Sequence, residues 1–215
     1  MFANNTEFKE DSVDSYPELG SFYKNTAYES ISKAFISKIQ HKQGILLLVG
    51  ATGTGKTFLL HEIESDLGSQ FKFVYPKVRS RPASFDDIID SLCDELKLER
   101  SNLDFLDKVL LLNKFLHTAK STNIHTVLII DDAHELEPHT LESLLLVATP
   151  RAKGQAVFQL LFSGLPELEH TMHQLKSNES KQHNLFCYRL EPGKESIEES
   201  IEDRPFSDAE ILEKE

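Results

Sequence analysis

Residues 50–57 read Gly50-Ala51-Thr52-Gly53-Thr54-Gly55-Lys56-Thr57, a full match to the pattern G-x-x-x-x-G-K-[ST]. Gly50, Gly53 and Gly55 let the backbone wrap closely around an anion, because no Cβ bars the approach. The loop amides and the start of a following helix add donors and partial positive charge. Lys56 is suited to the β- and γ-phosphates of a nucleoside triphosphate, and the Thr57 hydroxyl to Mg²⁺. A chance glycine-rich loop rarely fills all eight positions. The chain is therefore predicted to bind a nucleoside triphosphate through residues 50–57, with ATP favoured because no guanine-reading N-K-x-D or T-K-x-D occurs.

Hydrolysis needs a second half to the site, in which Mg²⁺ and a water are held. Val127-Leu128-Ile129-Ile130-Asp131-Asp132 is an apolar run ending in two carboxylates, the Walker B arrangement. Asp131 is predicted to complete the Mg²⁺ shell with Thr57, and Asp132 to orient or deprotonate water. Read alone, such a pair is also compatible with a turn or a helix cap. Glu135 is the next acid in line should Asp132 prove structural. The stretch Phe162-Ser163-Gly164-Leu165-Pro166 offers Ser163 as a sensor of the γ-phosphate, or else as a plain turn serine ahead of a helix opened by Pro166.

These residues need strands and helices to bring them together. Gly44–Gly50 is an apolar run of the kind found in buried parallel strands, and Phe58–Leu67 places Leu59, Leu60, Ile63 and Leu67 at helical spacing. Strand, glycine loop and helix follow in the required order. Further strands are predicted at Phe71–Pro76, Thr126–Ile130, Val157–Phe162 and Leu185–Leu190. Helices are predicted at Tyr28–Gln40, Ser84–Leu96 with a serine cap and acidic first turn, Asn102–Thr118, Pro138–Val147 and Pro166–Leu175. Alternation of the two argues for an α/β fold, a P-loop NTPase three-layer sandwich around a parallel sheet.

The rest of the composition bounds the class. Residues 1–20 are polar and irregular and are expected to be a flexible N-terminal segment; no signal peptide or membrane span is evident in the sequence. Cys93 and Cys187, each in an apolar context, fit packed thiols in a reducing cytoplasm better than a disulfide or zinc framework. The net charge is -12, of which residues 191–215 carry -7, ten acids against Lys194, Arg204 and Lys214. Such a tail reads as a solvated end or as a recruitment element. An acidic chain is not built as a general nucleic-acid coat. Lys72, Lys77, Arg79 and Arg81 form a small basic group, either a solvated loop or a local DNA-binding surface.

With these pieces in place, the set GATGTGKT, LIIDDAHEL and QLLFSGLPEL resembles the AAA+ ATPases of the general secretion pathway A (ExeA-like) group and their TniB-like relatives, over roughly residues 20–192. The corresponding family stretches read approximately GxxGxGKT, hhIDEAQxL and QhhLhGQPEL. The resemblance implies a core spanning 21–192 with strand order 5-1-4-3-2, nucleotide between neighbouring subunits, and ring-like self-assembly. It also implies an arginine finger from a neighbour. Arg151, with Lys153 nearby, lies in the segment where that residue would fall, although an exposed loop arginine is the plainer reading; Lys181–Asn184 offers no arginine. Three departures stand out: Asp132 for the family's glutamate, His134 for its glutamine, and a lid expected to be truncated, with 193–215 as its acidic remnant.

The expectation is an ATP-binding AAA+ protein that hydrolyses ATP slowly to drive assembly or remodelling of a protein or protein–DNA partner. The alternative is a nucleotide-binding switch without significant turnover, which the short acid and short lid favour.

Overall fold

The computed structural model describes residues 26–77, 82–148, 158–178, 184–191 and 198–200. Six helices and six strands alternate through these residues. Helix α1 (Thr26–Gln40) leads into β1 (Ile45–Val49), whose five residues are all buried. Helix α2 (Lys56–Asp66), strand β2 (Phe71–Val74) and helices α3 (Phe85–Glu95) and α4 (Phe105–Ser121) follow. Strand β3 (His125–Ile130), a 3-10 turn (Ala133–Glu135) and helix α5 (Pro138–Ala148) come next. The described chain closes with β4 (Phe158–Gly164), α6 (Glu167–Asn178), β5 (Leu185–Arg189) and β6 (Glu198–Ser200).

Local chemistry sets the helix starts. Ser84 and Asp87 form a reciprocal capping box at α3, each satisfying a backbone N–H of the other. Asp104 caps α4 through the Asp107 N–H, so that helix begins three residues later than the sequence pattern of Asn102 suggests. Ion pairs tie the two together: Lys108 of α4 reaches Asp90 of α3 at 2.6 Å, and Arg100 reaches the Asp94 carboxylate at 2.8 Å.

The sheet order is β2-β3-β4-β1-β5-β6. Strands β1 to β5 are parallel, in the order 5-1-4-3-2. Alternation of side chains divides the core into two layers. Leu47, Val49, Leu128, Ile130, Leu160 and Phe162 pack on the side of α3 to α6. Leu46, Leu48, Val127, Ile129, Leu161 and Tyr188 pack on the side of α1 and α2. The result is the three-layer α/β sandwich expected of a P-loop NTPase.

Two differences from the sequence reading have clear causes. The start of a helical lid is expected from 193, but Glu198–Ser200 form β6, antiparallel to β5. This pairing satisfies backbone groups that β5 would otherwise leave open at a sheet edge, a non-local gain that helical patterning cannot register. The remainder of 201–215, like residues 1–20, lies outside the described residues. Strand β4 also runs on through Ser163 and Gly164, which pair with Leu48 and Val49 of β1. Ser163 is therefore a strand residue and not part of a turn.

Candidate nucleotide site

The loop 50–57 springs from β1 between β4 and β5, where the chain's connections turn in opposite directions and a crevice opens at the strands' carboxyl ends. Its root is fixed on both sides. The Gly50 N–H donates to the Gly164 carbonyl at 3.1 Å, and the Leu190 N–H donates to the Val49 carbonyl at 2.8 Å. A Cβ on Gly50 would lie 2.6 Å from the Leu190 carbonyl oxygen, so only glycine lets β5 approach this closely. Gly53 and Gly55 have φ of 79° and 91°, left-handed values that side chains rarely adopt, and space for a Cβ is open at both. The absence of side chains there serves backbone shape and leaves the concave face clear.

Lys56 begins α2 and is buried. Its ammonium donates to the carbonyls of Gly50 at 2.8 Å and Ala51 at 3.0 Å, so the side chain folds back over its own loop. Burial pushes its pKa down, against the pull of Asp131 and then Asp132. Thr54 Oγ1 donates to the Ala51 carbonyl and braces the loop's crest, while Ala51 and Thr52 are exposed along it.

The Thr57 hydroxyl donates to Oδ2 of Asp131 at 2.7 Å. The other carboxylate oxygen, Oδ1, accepts the Asp132 N–H at 3.0 Å, so the Asp131 carboxylate is held at both ends. A hydroxyl and a carboxylate are hard oxygen donors of the kind Mg²⁺ prefers, and with phosphate oxygens and waters they could make its shell. No group of three or more His, Cys, Asp or Glu side chains among the described residues could hold a metal alone.

Asp132 has φ 52° and ψ 37°, a left-handed conformation uncommon outside glycine. It precedes the 3-10 turn yet its carboxylate makes no capping hydrogen bond there, so the plain cap reading does not account for it. Its side chain is 58 % exposed, and His134 Nδ1 stands 4.0 Å from its Oδ1. His134 Nδ1 also accepts the Leu165 N–H at 3.4 Å, which connects the Walker B turn to the end of β4. The sequence marked His134 as a departure without giving it a task; its contact with β4 carries no sequence signal.

Ser163 is 0 % exposed, and its hydroxyl has no hydrogen-bond partner among the described residues. Alternation from Leu161 places it on the α2 side of the sheet, the side on which Val127 and Ile129, and by the same period Asp131, fall. An enclosed hydroxyl without a partner costs about 1–3 kcal/mol. Arg151 and Lys153 lie outside the described residues, as do Arg79 and Arg81. Of the basic group, Lys72 sits over the Phe115 ring at 5.0 Å, and Lys77 lines a groove with Asp87, Asp90, Asp94 and Glu95. The two described members thus face an aromatic ring and carboxylates and do not form a basic surface.

The family model of the AAA domain matches residues 39–172, from the end of α1 into α6. The chain belongs to the AAA domain family. Its AAA domain is similar to the General secretion pathway protein A of Aeromonas hydrophila, at 26 % identity over 158 residues, covering 72 % of this chain and 28 % of the relative. Among solved structures, the Cdc6 protein of Pyrobaculum aerophilum matches with a TM-score of 0.55 at 16 % identity, covering 84 % of this chain and 48 % of its own. The ORC2 protein of Aeropyrum pernix matches with a TM-score of 0.53 at 16 % identity, covering 76 % and 46 %. The Walker-type ATPase of Pyrococcus abyssi gives 0.51 at 13 %, covering 77 % and 54 %. This AAA domain thus spans about half or less of most of these relatives, and the structural likenesses establish its fold. No helix among the described residues is long and apolar enough to cross a membrane.

Proposed function

We propose that this AAA domain binds Mg·ATP on residues 50–57 and hydrolyses the terminal phosphoanhydride bond slowly, the change of nucleotide driving assembly or remodelling of a protein or protein–DNA partner. The observation that carries this reading is the 2.7 Å hydrogen bond from Thr57 to Asp131, which joins the phosphate loop to the Walker B acid. In the proposal the amides of Gly50 to Thr57 cradle the phosphates. Lys56 leaves its carbonyl partners for the terminal phosphates, and Thr57 and Asp131 hold Mg²⁺. When bound, Mg²⁺ supplies charge to neutralise the phosphate oxygens. Asp132, exposed and uncommitted to a cap, orients the attacking water. Ser163, one step past the Ile130–Phe162 pair and so beside Asp131 on the neighbouring strand, reads the terminal phosphate; its missing hydrogen-bond partner supports that role.

Self-association into a ring, with Arg151 of one subunit completing the site of the next, is part of the proposal; Arg189, beside the root of the loop, is engaged with Glu169 at 2.7 and 2.9 Å. The Aeropyrum neighbour of the same fold forms ADPNP–ADP complexes, which supports a nucleotide as the ligand. Complexes of Drosophila ORC with DNA make a protein–DNA partner a reasonable class, although the arrangement of Lys72 and Lys77 lends it nothing here.

The second reading, a nucleotide-binding switch without useful turnover, is favoured by one observation. The Asp132 carboxylate is short and largely solvated, with His134 at 4.0 Å. ATP affinity and phosphate release, measured on the wild type and on Lys56→Ala, test both readings. Tight binding with turnover that rises with protein concentration supports the ATPase, and tight binding without phosphate release supports the switch. Equal affinity in Lys56→Ala removes the phosphate-loop assignment altogether.

A further inference from the structure

His134 occupies the junction between the Walker B turn and the end of β4. Its ring and backbone press against Gly164, where a Cβ would lie 3.2 Å from Nδ1 and 3.3 Å from the His134 nitrogen. A side chain on Gly164 would crowd this junction and would also meet Leu168 Cδ2 at 2.8 Å. On one side Nδ1 accepts the Leu165 N–H at 3.4 Å, the first amide beyond β4. On the other it stands 4.0 Å from Oδ1 of Asp132.

The two side chains differ in freedom. His134 is 23 % exposed and wedged between elements, whereas Asp132 is 58 % exposed and makes no capping bond. The ring is the less exposed of the two, and its Nδ1 stands between the Leu165 N–H and the Asp132 carboxylate. A water-orienting group must be held to within a fraction of an ångström. An aspartate on a left-handed residue has little of its own to hold it there.

We propose that His134 is a positioning residue that sets Asp132 against the end of β4. Any shift of the Ser163–Leu165 corner is passed through Leu165 N–H and Nδ1 to the acid. This inference rests on the reading of Asp132 as the water-orienting group.

The test uses single-turnover phosphate release with protein in excess, alongside Mg·ATP affinity, on the full chain. His134→Ala is expected to slow hydrolysis about tenfold, the size of loss typical of supporting residues around a reactive centre, with Kd within about twofold of wild type. His134→Asn, whose Oδ1 falls near the position of Nδ1 and can accept the Leu165 N–H, recovers most of the rate. His134→Phe keeps the bulk without the acceptor and is as slow as His134→Ala; it also takes the place of the alanine variant should that one melt early. Adding His134→Ala to Asp132→Asn slows the reaction no further. Wild-type rates in His134→Ala, an asparagine variant as slow as the phenylalanine one, or losses that multiply in the double variant would each overturn the proposal. If Asp132→Asn itself turns over at the wild-type rate, the role of Asp132 fails, and the positioning role with it. Loss of activity in Asp132→Asn beside full activity in His134→Ala overturns the positioning role alone.

Discussion

The Thr57 hydroxyl and the Asp131 carboxylate meet at 2.7 Å across 74 residues of sequence. Thr57 lies in the first turn of α2, and Asp131 just beyond the end of β3. Between β3 and β1 in the sheet lies β4, so the contact reaches past a whole strand. The Asp131 carboxylate is fixed at both oxygens, because the second accepts the Asp132 N–H at 3.0 Å. Preorganisation of this kind reduces the reorganisation that ligand binding would otherwise require.

Thr57→Ala deletes one of the two protein oxygens proposed for Mg²⁺ and frees Asp131 to rotate. The expected result is at least tenfold weaker binding of Mg·ATP, with Mg-free ATP affected much less. Thr57→Ser restores the hydroxyl and most of the affinity. Calorimetric titration with and without Mg²⁺ checks this, and equal losses in both conditions would contradict the Mg²⁺ role.

Asp132 predicts opposite effects for two substitutions. Asp132→Glu extends the carboxylate by one methylene and should raise kcat, since small misplacements of a water-orienting group cost about a hundredfold. The same change places a longer side chain at φ 52°, where asparagine and aspartate are better tolerated, so a stability loss of about 1 kcal/mol is expected with it. Asp132→Asn keeps the backbone preference and should slow hydrolysis with ATP affinity unchanged. Thermal melts and turnover together check the pair. Equal kcat in all three proteins would hand the task to another acid, Glu135 first.

Gly50→Ala tests the root of the loop. Its Cβ would come within 2.6 Å of the Leu190 carbonyl oxygen, a backbone atom that cannot swing aside, and within 3.0 Å of Thr54 Oγ1. Strand β5 or the loop must shift, at about 1–3 kcal/mol of stability. Weaker ATP binding should accompany the lower melting temperature. A variant with wild-type melting and affinity would show that β5 and the loop are less closely joined than their contacts indicate.

His125, at the start of β3, gives the fold a pH dependence. Burial lowers its pKa from 6.5 to about 4, helped by Lys42 and opposed by the neighbouring Gln159 amide; Lys120 adds a further small push downward. The Phe71 ring meets it edge-on at 6.0 Å. Because the folded state disfavours the proton, the unfolded chain binds it first as pH falls below 6.5. The stability from a neutral His125 is therefore complete above pH 6.5 and is lost progressively down to about 4. At pH 5 the loss is about 2 kcal/mol, from roughly 1.36 kcal/mol per unit. Urea unfolding of the wild type and His125→Phe at pH 7 and pH 5 checks this, with the smaller pH difference expected in the variant.

Much of the site was legible in the sequence because its chemistry is local. Eight consecutive residues dictate the phosphate loop, and the apolar run into Asp131 and Asp132 marks a strand end whatever lies beside it. The helix at Ser84 announced itself through a side chain that bonds the next turn's amides, whereas the Asp104 cap, which starts α4 three residues after Asn102, was not read. The parallel strands followed from length and apolar character alone.

What the sequence could not supply was adjacency. That Thr57 touches Asp131, that His134 backs onto Gly164, and that Ser163 is enclosed within β4 all depend on β4 lying between β1 and β3 in one register. Strand β6 likewise exists because an edge of β5 needed partners, a demand that arises only once the sheet is assembled. Sequence periodicity reports what each segment prefers by itself. Strand order, register and the contacts between loop ends are decided by how two apolar layers close over a single sheet, so the loop's pattern was legible in its residues and its surroundings only in the packing.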